Sequence, residues 1–189
     1  MRKLTYLIAT TIDGFIADPS GSLESFLFEG DQVRWLVERY PDTIPAAFRE
    51  ALRLEGPPQE FDTVLMGRAT YALGLDEGVT SPYTHLRQYV FSRSLGESPD
   101  PAVTVVAGDA LAKVRELKAE PGEGIWLCGG GVLAHQVLPE IDELVVKVNP
   151  VIAGEGLPLF AGGFTPQQWR LTDSHVFTSG VAVLSYTRS

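Results

Sequence analysis

The chain has 189 residues, which fits one domain at a prior of roughly 150 residues per domain. Apolar residues make up 44% and charged residues 21%, enough to fill a core and too apolar for wholesale disorder. Lys and Arg total 15 against 24 Asp and Glu; the resulting net charge of −9 argues against a nucleic-acid groove or an anionic membrane surface as partner, since both reward clustered positive charge.

Lys3 to Thr10 is rich in β-branched and aromatic residues and predicts a buried strand. The run passes straight into Asp13-Gly14 without a small-residue cleavage site, so it reads as a strand and not as a signal peptide. No apolar stretch approaches the ~18 residues of a membrane span. Phe15-Ile16-Ala17 resumes the strand, and Asp18-Pro19-Ser20-Gly21 is turn chemistry. Val33, Leu36, Val37 and Tyr40 then recur on one helical face that Pro41 ends. A second helix is predicted from Pro45 to Leu54, with Ala47, Phe48, Ala51 and Leu52 on one side and Gly56-Pro57-Pro58 as its stop.

Thr63 to Met66 predicts a buried strand, and Gly67 to Leu73 a helix entered directly from it. Gln88–Ser92 and Val103–Ala107 predict further strands. Asp109 is placed to cap a helix over Ala110–Ala119. Ile125–Cys128 predicts a strand, Gly129-Gly130-Gly131 a tight turn, and Val132–Leu138 a helix stopped by Pro139. Leu144–Val148 is a strand, Ala153–Phe164 a long loop, and Trp169–Phe177 with Val181–Thr187 a hairpin turning at Ser179-Gly180. Strands alternating with helices imply a mostly parallel sheet covered on both faces, and the closing hairpin makes it mixed.

Three junctions at strand ends carry the candidate chemistry. In Leu65-Met66-Gly67-Arg68-Ala69-Thr70, a bare glycine precedes a helix start, where free N–H groups and an arginine suit a phosphate; a tight turn with a surface arginine is the plainer alternative. Val90-Phe91-Ser92-Arg93-Ser94 offers two hydroxyls around an arginine, or simply a polar turn. Trp126-Leu127-Cys128-Gly129-Gly130-Gly131-Val132-Leu133 spends three glycines between strand and helix, which suggests bare backbone beside a pyrophosphate, or a close strand–helix crossing. All three lie at carboxyl ends of strands, the edge where ligands gather in open α/β sheets. Two arginines with hydroxyls suit an extra dianionic phosphate, such as the 2′-phosphate of NADP, better than a ribose diol. Gly129-x-Gly131-x-x-Ala134 also fits a dinucleotide fingerprint, but the next strand ends in Val148-Asn149-Pro150 without the acid such a unit needs, so that fold is the rival reading. Cys128, the lone cysteine, permits no internal disulfide or zinc spacing and reads as a small hydrophobe in a protein of the reducing cytoplasm; no metal is expected.

These pieces, with the opening Ile8-Ala9-Thr10-Thr11-Ile12-Asp13-Gly14-Phe15-Ile16-Ala17 and the later Pro150-Val151-Ile152-Ala153-Gly154-Glu155-Gly156-Leu157-Pro158-Leu159-Phe160, make the chain resemble the dihydrofolate-reductase-like superfamily. Within it the chain is most similar to the branch holding the C-terminal reductase domain of riboflavin biosynthesis. The resemblance implies a three-layer αβα fold around a mixed, mostly parallel sheet of about eight strands with a C-terminal antiparallel hairpin, a homodimer, and NADPH as cofactor. It implies that Gly67, Arg68 and Thr70 contact cofactor phosphate. Ser92, Arg93 and Ser94 would hold the 2′-phosphate and adenine side, and Gly129, Gly130, Gly131, Val132 and Leu133 would form the pyrophosphate loop. Ala9 and Ile16 would line the nicotinamide.

For catalysis the candidates are Asp31, near the place of the superfamily's helix carboxylate but equally an N-cap, and Asp13, whose Asp-Gly setting favours a turn role. The expected activity is hydride transfer from NADPH to a small heterocyclic, ribosylamino-pyrimidine or pterin-like substrate. The alternative is a nucleotide- or flavin-binding module that catalyses nothing.

Overall fold

A computed structural model describes residues 1–189. Its centre is an eight-stranded sheet built from β1 (Leu4–Thr10), β3 (Phe61–Gly67), β4 (Arg87–Phe91), β5 (Val103–Val106), β6 (Gly124–Gly129), β7 (Glu143–Val148), β9 (Trp169–Val176) and β10 (Ala182–Arg188), in the spatial order β5-β4-β3-β6-β1-β7-β10-β9. Pairing is parallel from β5 through β7, and antiparallel where β10 joins β7 and β9 joins β10. The mixed sheet and its closing hairpin are as the sequence predicts. A separate antiparallel pair joins β2 (Phe15–Ala17) to β8 (Leu157–Pro158). Phe15–Ala17 is therefore not a resumption of β1, and the Gly- and Pro-rich loop contains a strand.

The central strands bury both faces, so side chains alternate between two cores. Leu65, Ile125, Leu127 and Val146 face one core, closed by Val114 and Leu117 of α4 (Ala110–Ala119) and Leu133 and Ala134 of α5 (Gly131–Gln136). Val64, Met66, Trp126 and Val145 face the other, with Tyr71 of α3 (Arg68–Asp76), and Trp35 and Leu36 of α1 (Asp31–Arg39) pack against that core. Asp109 caps α4 as expected, accepting from Leu111 N at 2.8 Å and Ala112 N at 3.2 Å. The buried Asp42 carboxylate accepts the N–H groups of Gln59, Glu60 and Phe61 at 3.0, 2.7 and 3.0 Å, tying the turn after α1 to the start of β3.

Two local expectations fail. The helix predicted over Pro45–Leu54 survives only as α2 (Ala46–Arg49). Its apolar side finds no core, with Phe48 60% and Leu52 45% exposed, and a helix that short has little support except packing. Asp31 is not the N-cap of α1: Gly30 holds that position and offers no side-chain cap, while Asp31 is the first helical residue.

Candidate functional site

A cleft of about 1910 Å³ opens along the carboxyl ends of the parallel strands. The three junctions meet there. The Arg68 guanidinium donates from Nη1 to Ser94 Oγ at 3.0 Å, linking the first junction to the second. A Cβ added at Gly67 would stand 3.3 Å from Gly130 N, and one at Gly129 would stand 3.5 Å from Thr70 Oγ1, so the first also abuts the third. Ala9, Ile16, Gly67, Arg68, Thr70, Ser92, Arg93, Ser94, Gly129, Gly130, Gly131, Val132 and Leu133 all line this one cleft.

The glycine run has more than one reason. Gly129 adopts φ +141°, which L side chains rarely tolerate. Gly130 has ordinary room, its added Cβ lying 3.6 Å from Thr70 Oγ1 and 3.7 Å from Ile16 Cδ1, and its backbone stays bare toward the cleft. Gly131 is required by packing: a Cβ there would overlap the Pro158 carbonyl oxygen and lie 3.2 Å from Ala161 N. The third glycine also admits the backbone of the 158–161 loop, the close crossing that is the alternative reading of the motif.

Ser92 is buried, and its Oγ accepts the N–H groups of Ser94 at 3.2 Å and Leu95 at 3.0 Å, shaping the loop that presents Arg93. Arg93 is exposed, and neither Arg68 nor Arg93 forms an ion pair. The opposite edge of the sheet differs. Arg2 pairs with Asp62, Lys3 with Glu143 at 2.6 Å, Arg87 with Glu120 at 2.7 Å and Lys118 with Asp142 at 2.8 Å, all around the amino ends of the strands. Four cations are thus neutralised there by carboxylates, whereas Arg68 and Arg93 at the carboxyl edge have no carboxylate partner.

The two candidate carboxylates are elsewhere. Neither Asp13 nor Asp31 is among the residues lining the cleft. Asp31 Oδ2 accepts from Thr178 N at 2.8 Å and Thr178 Oγ1 at 2.9 Å, so it fastens α1 to the closing hairpin, and chiefly the Thr178 N–H holds its pKa below the usual carboxylate value. Asp13 accepts from Thr11 Oγ1 at 2.6 Å, Ala153 N at 3.1 Å and Gly154 N at 2.7 Å. The Thr11 hydroxyl first, then the two N–H groups, lower its pKa to about 2. Both groups are ionised near neutrality and serve as staples, which fits the turn role for Asp13.

The Asp13 staple carries a pH prediction. Its folded pKa lies below the ordinary carboxylate value of about 3.9, so the tether is complete above about pH 4 and is lost as pH falls through 2. Amide exchange at Ala153 and Gly154 is expected to stay slow down to that range and to quicken in Asp13→Ala at neutral pH. An Asp13 carboxyl titrating near its ordinary value would show the staple is not formed.

One cleft residue received no role from the sequence. Lys147 interrupts the apolar run of β7, with Ala9 of β1 and Val183 of β10 as its register neighbours. Its ammonium has no ion-pair partner, and burial alone pushes its pKa below the ordinary lysine value. The signal was present, because a charge in the middle of a doubly covered strand is costly. Cys128 also lines the cleft, and burial pushes its thiol up to about 12, which keeps it protonated near neutrality.

The RibD C-terminal domain family matches residues 2–183. The chain belongs to that family. Among similar family-sized proteins, YwjB of Bacillus subtilis (strain 168) is 33% identical over 193 residues, covering 100% of this chain and 99% of YwjB. YyaP of the same organism is 26% identical over 198 residues, covering 98% and 94%. A crystal structure from Shewanella sp. PV-4, named for riboflavin biosynthesis, superposes with TM-score 0.72 at 26% identity over 100% of this chain and 99% of that one. The dihydrofolate reductase of Enterococcus faecalis, complexed with NADP(H) and RAB-propyl, superposes with TM-score 0.66 at 15% identity over 99% and 96%, which shows the shared fold. The RibD C-terminal domain of this chain thus has the dihydrofolate-reductase-like fold.

Proposed function

We propose that the cleft binds NADPH and that the protein reduces a small heterocyclic substrate of the ribosylamino-pyrimidine or pterin-like class. The observation that carries this reading is the Arg68–Ser94 hydrogen bond at 3.0 Å, which joins two strand-end junctions around two arginines with no carboxylate partner. Arg68, Arg93 and Ser94 would hold the 2′-phosphate, as several charge-assisted donors on one dianion. α3 begins at Arg68 with Gly67 as a cap that has no side-chain bond, so its first N–H groups are free for phosphate. Gly129 and Gly130 let backbone approach the diphosphate, while Ala9 and Ile16 wall off water at the reacting end.

When bound, the dihydronicotinamide supplies the hydride; the protein supplies orientation and charge. Since Asp13 and Asp31 do not line the cleft, neither is placed to deliver a proton to a substrate there. That same observation favours the second reading, a nucleotide-holding module without turnover.

Calorimetric titration with NADPH and NADH tests the binding, and NADPH oxidation with pterin, ribosylamino-pyrimidine and quinone acceptors tests turnover. Tight NADPH binding with preference over NADH, followed by acceptor-dependent oxidation, is the expected result. Binding without oxidation by any acceptor selects the module, and no heat with either nucleotide refutes the reductase reading.

A further inference from the structure

The cleft lining is largely apolar, with Ala9, Ile16, Leu36, Phe48 and Trp126 among its residues, and the charged lining residue in register with Ala9 is Lys147. The cleft's carboxylates, Asp76, Glu77 and Asp109, belong to the end of α3 and the start of α4, at the far side of the sheet from β7. Lys147 makes no ion pair, and its Nζ lies 5.8 Å from the centroid of the Phe28 ring. A part-buried ammonium kept without a counter-charge costs stability, and such groups gather at functional sites.

We propose that Lys147 is the substrate anchor of this cleft and that the molecule it takes is a flat ring bearing an anionic oxygen, a carboxylate or an ionised enol or lactam. This deepens the reductase reading and rests on it for the word substrate; the anion subsite itself stands on the position of Lys147. The ligand supplies the missing counter-charge: an oxygen anion that reaches the ammonium exchanges water for a charge-assisted hydrogen bond in an apolar setting, where such a bond is strong. The same arrangement disfavours a cationic heterocycle, because no carboxylate stands beside Lys147 to receive one.

The test uses two probes of equal shape, benzoate and benzamide, titrated calorimetrically into wild type, Lys147→Met, Lys147→Arg and Arg93→Ala, with NADPH titrated separately into each. Wild type is expected to prefer benzoate by about tenfold or more. Lys147→Met should abolish that preference with an unchanged or higher Tm, Lys147→Arg should restore part of it, and Arg93→Ala should leave it intact. Equal binding of the two probes by wild type, no benzoate binding, or a preference that survives Lys147→Met overturns the proposal. If wild type prefers benzoate through Lys147 yet binds no NADPH, the anion subsite holds and the cofactor reading alone fails.

Discussion

Arg93→Ala and Arg68→Ala are each expected to weaken NADPH binding by about tenfold to a hundredfold while moving NADH little. The range follows from roughly 1.5–3 kcal/mol for a hydrogen bond to a charged group, with tenfold in affinity per 1.4 kcal/mol. Arg93 is exposed and has no ion-pair partner, so its removal takes away no internal ion pair. Arg68 also donates to Ser94 at 3.0 Å, so its loss loosens the loop that carries Arg93, and the double variant should lose less than the sum of the two. Added salt should weaken NADPH binding more than NADH binding, as expected for an exposed phosphate contact. Equal losses for the two nucleotides would place the 2′-phosphate elsewhere.

Gly131→Ala is expected to destabilise the fold by about 1–3 kcal/mol, the usual range for forcing an extra methyl into a packed site. Its Cβ would overlap the Pro158 carbonyl oxygen and crowd Leu159 O at 3.3 Å. The 158–161 backbone cannot simply retreat. Ala161 N donates to Gly131 O at 3.0 Å, Leu159 N to Gly14 O at 2.9 Å, and Tyr6 Oη to Leu159 O at 3.1 Å. At about 2–4 °C per kcal/mol for a chain of this size, Tm should fall by roughly 2–12 °C. Thermal unfolding followed by circular dichroism reads this directly. A Gly131→Ala protein that melts with wild type would mean that α5 and the 158–161 loop do not pack as described.

The two predictions probe different kinds of information in the same motif region. That Arg68 and Arg93 sit at strand-end junctions was legible because strand, turn and helix start are local patterns. Asp13 was half legible: Asp-Gly marks a turn, but that its carboxylate would reach across to Ala153 and Gly154 depends on partners 140 and 141 residues away. Asp31 was misleading. Its position before an apolar helical face matches an N-cap, yet the N-cap is Gly30 and the carboxylate's partner is Thr178, 147 residues on. The helix over Pro45–Leu54 failed for a related reason, since its periodicity is real but no core lies where its apolar side points.

By itself the sequence determined the order of the eight strands of the main sheet and of the helices between them, the cap of α4, the closing hairpin and the three strand-end junctions, because each depends on residues within a few positions of one another. Only the tertiary structure decided that those junctions line a single cleft, that Asp13 and Asp31 are staples outside it, that Gly131 makes room for a loop, and that Lys147 stands unpaired beside Ala9. These depend on which distant segments become neighbours, and periodicity along a chain holds no information about the partner that a side chain will meet across the sheet.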